Sequence, residues 1–154
     1  MDRATPPHRY AIAIGSNRRG RHGSPRAEVL AAIAALGTVA AASPVIETPP
    51  LGPSIRRFAN ACALIDSDEA PEVLLARLKA IEHAFGRRRG QRWGARVIDL
   101  DIVLWSGGCW SSATLTIPHP LFRRRAFVLR PLAAIAPGWR DPLTGRTVRQ
   151  LARG

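Results

Sequence analysis

The chain has 154 residues, 46% of them hydrophobic, which excludes a disordered chain and suffices for one domain with a core. Its 23 basic residues against 11 acidic ones give a formal net charge of +12, which indicates a polyanionic substrate or partner. Because all but one of the basic residues are arginine, we attribute part of this charge to genome-wide composition.

The first half of the chain alternates between strand and helix patterns. Apolar β-favouring runs predict strands, and amphipathic spacing predicts helices. In chain order these lie at residues 10–14 (strand), 25–36 (helix), 40–47 and 58–66 (strands) and 71–85 (helix). Pro71 and Gly86 mark the two ends of the second helix. The polar residues 1–9 are expected to be flexible.

A strongly basic segment follows this helix. Residues 87–96 contain five arginines, two glycines and a tryptophan. Arginine binds phosphate oxygens in bidentate pairs, and glycine lets the backbone approach a ligand closely. A solvated basic loop is the alternative interpretation of such a charge run. Because the segment leads directly into an acidic strand, we expect a phosphate-binding loop that is mobile in the free protein and closes over the substrates.

Two carboxylates, Asp99 and Asp101, lie within an apolar strand predicted over residues 97–105. Residues i and i+2 of a strand point to the same face, so the two side chains are expected side by side in a buried strand. Like charges this close need a positive partner. Mg²⁺ bound through one or two carboxylates commonly also holds substrate phosphates. On spacing alone, a structural pair neutralised by arginine remains the alternative.

Downstream, His119 lies between Pro118 and Pro120, which hold it in a stiff extended turn. A histidine held in this way is expected to donate to a phosphate or to transfer a proton, although a structural histidine is the alternative. One of the neighbouring arginines 123–125 is expected to join it, and the others to be solvated. The remaining predicted elements are a turn at residues 107–108, a short hairpin strand at 114–117, a helix at 128–135 and a terminal turn at 148–152.

Eight short motifs span nearly the whole chain. They are AIGSN (13–17), ETPPLG (47–52), FAN (58–60), LLARLKAIE (74–82), GRRR (86–89), RWGARVIDLDI (92–102), IPHP (117–120) and RAFVLRPL (125–132). With these motifs in this order, the chain resembles the 6-hydroxymethyl-7,8-dihydropterin pyrophosphokinase family. The resemblance implies a diphosphokinase domain over residues 1–154. Its reaction would be the Mg²⁺-dependent transfer of pyrophosphate from ATP to the pterin alcohol, with release of AMP, in folate biosynthesis.

The fold class follows from the order of the predicted elements. A β-α-β-β-α-β order matches the ferredoxin-like motif. The resemblance implies the same α+β fold, in which helices pack on an antiparallel sheet, extended by a C-terminal hairpin and short helices.

The resemblance also implies roles for individual residues. Asp99 and Asp101 would hold two Mg²⁺ ions, and Arg87 and Arg96 would act on the phosphates during catalysis. The nucleotide side would include Glu82, Arg89, Arg96, Ile102, Thr116, His119 and Arg125. The pterin side would include Thr48, Pro49, Leu51, Phe58, Asn60, Trp93 and Phe127, with Trp93 and Phe127 on opposite faces of the ring.

Some positions depart from the family pattern. Residues 52–58 carry two arginines instead of an acidic and glutamine-containing run, Phe58 replaces a common tyrosine, and Ala95 replaces a usual proline. None of these changes touches the acid pair.

The alternative function class is a basic ferredoxin-like RNA-binding module, with Trp93 and Phe127 stacking on bases. Such a platform carries its aromatic residues on sheet strands, whereas here they are predicted on loops beside the acids. The sequence therefore favours an enzyme that binds small molecules, without nucleic acid or membrane partners, as a monomer. The two cysteines lack ligand spacing, and no apolar run is long enough for a membrane span, so we expect a cytoplasmic location.

Overall fold

An antiparallel sheet forms the centre of the fold in the computed structural model, which describes residues 7–49, 57–86 and 97–154. Its strands, in chain order, are β1 (His8–Ser16), β2 (Val39–Ala42), β3 (Ile46–Thr48), β4 (Phe58–Ser67) and β5 (Asp99–Trp105). β1 lies between β4 and β5, while β2 and β3 both pair with the other side of β4. With β2 and β3 taken as one interrupted strand, this is the predicted ferredoxin-like arrangement.

Helices cover both faces of the sheet. α1 (Pro25–Ala35) and α2 (Pro71–Phe85) pack on one face, where β1 contributes the large side chains of Tyr10, Ile12 and Ile14. α3 (Ala126–Ile135) and α4 (Val148–Arg153) pack on the other face, where β1 contributes Ala11 and Ala13. The small residues of β1 therefore leave space on the face that carries α3.

A hairpin of two short strands, β6 (Trp110–Ser111) and β7 (Thr116–Ile117), follows β5. A 3₁₀ turn at Phe122–Arg124 then leads into α3. Within the described part of the chain, no helix is both long enough and apolar enough to cross a membrane.

The predicted order of elements is confirmed, and several bounds are corrected. The terminal turn predicted at residues 148–152 is the helix α4, β5 begins at Asp99 and not at residue 97, and the hairpin strand predicted at 114–117 covers only Thr116–Ile117. β1 begins at His8, inside the segment expected to be flexible, and Arg9 forms an ion pair with Asp66 of β4 at 2.8 Å. The strand predicted over residues 40–47 is interrupted around Pro44, which has no N–H to donate to a sheet. α3 begins two residues earlier than predicted, at Ala126.

Candidate active site

The acid pair lies on β5, on the sheet face that carries α3. Asp101 is opposite Ala13 of β1, and Asp99 is opposite Gly15. The alternating apolar residues of β5 are buried on the other face, whereas Asp101 is half-buried and Asp99 is exposed. The two carboxylates therefore face an open cleft, which corrects the expectation of a buried pair.

Gly15 of β1 allows the Asn60 side chain to approach the backbone of the sheet on this face. It lies between Asn60 of β4 and Asp99 of β5. A Cβ atom at Gly15 would come within 2.9 Å of the Asn60 Oδ1 atom. Any larger residue would therefore displace the Asn60 side chain, so glycine keeps the floor of the cleft flat.

A first cavity, of about 220 Å³, lies above this floor beside the start of α3; we call it the α3-side cavity. It is lined by the acid pair, Arg125 and four residues predicted for the pterin side, namely Thr48, Phe58, Asn60 and Phe127. Thr48 pairs with Phe58 across β3 and β4, and Asn60 projects from the same face. Pro49 is exposed at the end of β3 and is not among the lining residues.

A second cavity, of about 330 Å³, lies between α2 and the β6–β7 hairpin; we call it the hairpin-side cavity. Three residues predicted for the nucleotide side, Ile102, Thr116 and His119, line it. Asp101 lines both cavities. Asp101 therefore lies at the junction of the two cavities, whereas Asp99 lines only the α3-side cavity.

His119 is held by backbone contacts on both sides. Its ring Nδ1 accepts the N–H of Leu121 at 3.1 Å, and its own backbone N–H donates to the carbonyl of Val103 on β5 at 3.0 Å. Burial lowers the pKa of His119; the Asp101 carboxylate raises it, and the Arg125 guanidinium lowers it. Because Nδ1 is an acceptor, the neutral ring carries its proton on Nε2 and can donate that N–H to a ligand.

Arg125 is the residue that precedes α3, and its guanidinium carbon lies 5.5 Å from the centre of the Phe127 ring. This is within the range of a cation–π contact. The sequence assigned Arg125 to the nucleotide side, whereas its side chain lines the α3-side cavity next to the acid pair. It therefore contributes positive charge at the junction of the two cavities.

An ion pair missed from the sequence supports the segment between His119 and Arg125. Arg123 donates to both carboxylate oxygens of Asp141, at 2.5 and 2.8 Å. The fully buried Asp141 also accepts the Leu143 N–H and the Thr144 hydroxyl. The Arg123 guanidinium, followed by these donors, lowers the pKa of Asp141 to about 2. The sequence offered no signal for this pair, because its members are 18 residues apart.

Glu82, predicted for the nucleotide side, lies behind the acid pair instead. Its side chain is buried, and its Oε2 accepts the backbone N–H of Leu100 at 2.7 Å. It is not among the residues that line the two cavities. Glu82 therefore supports the strand that carries the acid pair.

Five predicted site residues, Leu51, Arg87, Arg89, Trp93 and Arg96, lie outside the described residues. So does nearly all of the basic segment that we expect to close over the substrates. Among the residues that are described, no cluster of three or more histidine, cysteine or acidic side chains could hold a metal ion.

Comparison with known proteins identifies relatives over most of the chain. The model of the family described as 7,8-dihydro-6-hydroxymethylpterin-pyrophosphokinase matches residues 11–137. A Pseudomonas aeruginosa protein named 2-amino-4-hydroxy-6-hydroxymethyldihydropteridine pyrophosphokinase is 40% identical over 149 residues, covering 93% of this chain and 89% of the relative. A Synechocystis protein of the same name is 45% identical over 100 residues, covering 65% of this chain. The match spans about half of that relative, at 51%.

Solved structures share the fold. A crystal structure of an HPPK-DHPS protein in complex with substrates aligns with 97% of this chain at a TM-score of 0.75 and 14% identity. The Plasmodium falciparum HPPK-DHPS structure with pteroate aligns with 99% at a TM-score of 0.72 and 14% identity. This chain covers 43% of each of those longer chains. At this level of identity the likeness establishes the fold alone.

Proposed function

The chain belongs to the 7,8-dihydro-6-hydroxymethylpterin-pyrophosphokinase family, and on that premise we propose that it transfers pyrophosphate from ATP to 6-hydroxymethyl-7,8-dihydropterin. The products are the pterin diphosphate and AMP, in folate biosynthesis. One observation carries the proposal: Asp101 lines both cavities. Transfer between two substrates requires their reacting ends to meet where phosphate charge is stabilised. Two cavities that meet at one member of the acid pair suit this requirement once a cation is bound.

In this proposal the pterin occupies the α3-side cavity. One face of its ring stacks on Phe127, and Trp93 covers the other face. The Thr48 hydroxyl and the Asn60 amide offer both donors and acceptors to the heterocycle. Phe58 adds apolar surface, which is typical of a site with a few fixed polar groups. Pro49 and Leu51, which follow Thr48 in the sequence, complete the pterin side of this proposal.

ATP occupies the hairpin-side cavity, with its phosphates directed toward the acid pair. Ile102 supplies apolar surface, while Thr116 and the Nε2–H of His119 are donors for the nucleotide. The positive charge of Arg125, joined by that of Arg87, Arg89 and Arg96, balances the phosphates. Glu82 acts indirectly by holding β5.

The acid pair suits Mg²⁺. A hard cation prefers carboxylate oxygens, and Mg²⁺ keeps several coordination positions for water and phosphate. The exposed Asp99 and half-buried Asp101 leave such positions open to a ligand. Two Mg²⁺ ions held by these residues would neutralise phosphate charge.

The protein's own residues align the pterin hydroxyl with the β-phosphorus of ATP. A bond forms between that hydroxyl oxygen and the β-phosphorus. The bond from the β-phosphorus to the oxygen shared with the α-phosphorus breaks, and AMP keeps its electron pair. The hydroxyl proton passes to solvent. Positioning and charge balance by arginine side chains supply most of the catalysis.

We further propose a monomer, since residues of a single chain line both cavities. A cytoplasmic location is supported by the free cysteines Cys62 and Cys109, which are typical of a reducing compartment.

The test is AMP release from ATP and Mg²⁺, with and without 6-hydroxymethyl-7,8-dihydropterin. AMP should appear only with the pterin, and Asp101→Asn should lower the rate by about a hundredfold or more. The matched control is Asp66→Asn, which removes a carboxylate of β4 that lines neither cavity. AMP release without pterin, or equal rates in the two variants, would contradict the proposal.

A further inference from the structure

Glu72 joins the start of α2 to the tip of the β6–β7 hairpin. One of its carboxylate oxygens accepts the Thr114 hydroxyl at 2.9 Å. The other accepts the indole N–H of Trp110 at 3.2 Å and the hydroxyl of Ser112. All three donors come from the hairpin, so a single side chain holds this segment against the helix.

Apart from the bonds to Glu72, the tip of the hairpin makes few interactions in the described structure. Residues 112–114 are all exposed, whereas Trp110 and Leu115 at its base pack against the core. The hairpin pairs over two residues in each strand, with one further backbone bond from Ser112 to Leu115 at 2.9 Å. The carboxylate of Glu72 therefore sets where the tip lies relative to α2.

This contact lies at one end of the hairpin-side cavity. Leu75 and Lys79, three and seven residues after Glu72, share its helix face and form one wall. Residues 112–116 form the opposite wall. Glu72 does not line the cavity itself but links its two walls.

We propose that Glu72 is a positioning residue for the nucleotide: it fixes the separation of α2 from the hairpin tip and so the width of the hairpin-side cavity. The proposal rests on the proposed function, because ATP is the ligand assigned to that cavity. It deepens that function by adding a residue that never touches ATP.

A carboxylate suits this role better than its amide. Three donors converge on Glu72, and glutamine would present an NH₂ group where one oxygen now accepts. The glutamine oxygen can still accept from the Trp110 indole and the Ser112 hydroxyl, but its NH₂ group would replace the oxygen to which Thr114 donates, and the charge that strengthens all three bonds would be lost. Three hydrogen bonds lower the pKa of Glu72. The bond from the Ser112 hydroxyl has the largest effect, followed by those from Thr114 and Trp110, so Glu72 is charged at neutral pH. The start of a helix also favours a negative charge.

A merely structural carboxylate near the same helix provides the matched control. Glu69 accepts the Ser67 hydroxyl at 2.7 Å and the Arg77 guanidinium at 2.9 Å. It makes no hydrogen bond to the hairpin in the described structure and lines neither cavity. Glu69→Gln therefore removes a comparable set of contacts without changing the separation of the cavity walls.

The experiment compares wild type, Glu72→Gln and Glu69→Gln in the full chain. It measures kcat, the KM values for ATP and pterin, the Kd of α,β-methylene ATP with Mg²⁺ by calorimetry, and Tm. Glu72→Gln should raise the ATP KM and the analogue Kd about fivefold, since it weakens one or two hydrogen bonds. The pterin KM and the kcat at saturating ATP should stay unchanged. Glu69→Gln should lower Tm while leaving the ATP KM at the wild-type value.

An unchanged ATP KM and analogue Kd in Glu72→Gln, or equal rises in the ATP and pterin KM values, would overturn the proposal. If Glu72→Gln does not fold, Trp110→Phe removes one donor to Glu72 without changing a residue that lines the cavity, and it should raise the analogue Kd about twofold. An unchanged Kd in that variant would equally overturn the proposal. Absence of AMP release from the wild type would refute the proposed function instead, while the calorimetric Kd would still test the role of Glu72.

Discussion

Asp141→Asn should destabilise the protein in a way that depends on pH. The Arg123 guanidinium, the Leu143 N–H and the Thr144 hydroxyl lower the pKa of Asp141 from 3.8 to about 2. This difference corresponds to about 2–3 kcal/mol of stabilisation at neutral pH. Removing the carboxylate also leaves Arg123 without its partner, so the free energy of unfolding should fall by about 3 kcal/mol. Tm should fall by about 6–12 °C for a chain of this size.

The sign of the pH dependence follows from the lowered pKa. The folded state holds Asp141 ionised to lower pH than the unfolded state does. Its contribution is therefore complete above about pH 4 and is lost as the pH falls toward 2. The difference in stability between wild type and Asp141→Asn should be largest at neutral pH and should shrink below pH 4.

Urea denaturation at pH 7, 5, 4 and 3 measures this difference. The control is Asp66→Asn, which removes the exposed pair with Arg9, where the two side chains are 28% and 46% exposed. That variant should lose less than about 1 kcal/mol. Equal stability of wild type and Asp141→Asn at pH 7, or a difference that stays constant down to pH 3, would show that the ionised Asp141 does not stabilise the fold through Arg123.

Three predictions concern the site. Asp99→Asn should depress turnover strongly and keep its Tm, because Asp99 is exposed; the rate as a function of Mg²⁺ concentration checks this, and near-normal turnover at low Mg²⁺ would contradict it. Phe127→Ala should weaken pterin binding by about 1 kcal/mol or more through lost stacking and leave ATP-analogue binding unchanged. Calorimetry measures the Kd of each ligand, and an unchanged pterin Kd would contradict this assignment. Gly15→Ala places a Cβ atom 2.9 Å from the Asn60 Oδ1 atom, so pterin KM should rise more than ATP KM, and equal rises would count against the assignment of Asn60.

The sequence predicted the bounds of an element correctly where proline or glycine residues mark its two ends. α2 covers the predicted residues 71–85 because Pro71 suits a first helical turn and Gly86, with φ of 112°, adopts a conformation that favours glycine. The stretch over residues 40–47 carried a signal of its interruption in Pro44, although the prediction ran one strand through it. There, Pro44 and the hydrogen bond from the Cys62 N–H to the Ser43 hydroxyl replace regular pairing.

The site was predictable where it depends on residues close in sequence and not where it depends on tertiary contacts. The i, i+2 spacing placed Asp99 and Asp101 on one face, but the depth of that face depends on the small residues of β1 opposite them. Glu82 looked like a ligand-contacting acid because its burial against the N–H of Leu100 appears only after folding. The contacts of Glu72 with the hairpin, 38 to 42 residues away, likewise have no sequence signal.

Transfer of label from ATP carrying ³²P at the β-phosphorus distinguishes pyrophosphate transfer from transfer of a single phosphate. The reaction contains the protein, Mg²⁺ and 6-hydroxymethyl-7,8-dihydropterin, and the products are separated by chromatography. The label should move to the pterin in step with AMP release, because the bond between the α-phosphate and β-phosphate groups is the one that breaks. Label retained in ADP, with a singly phosphorylated and unlabelled pterin, would contradict it.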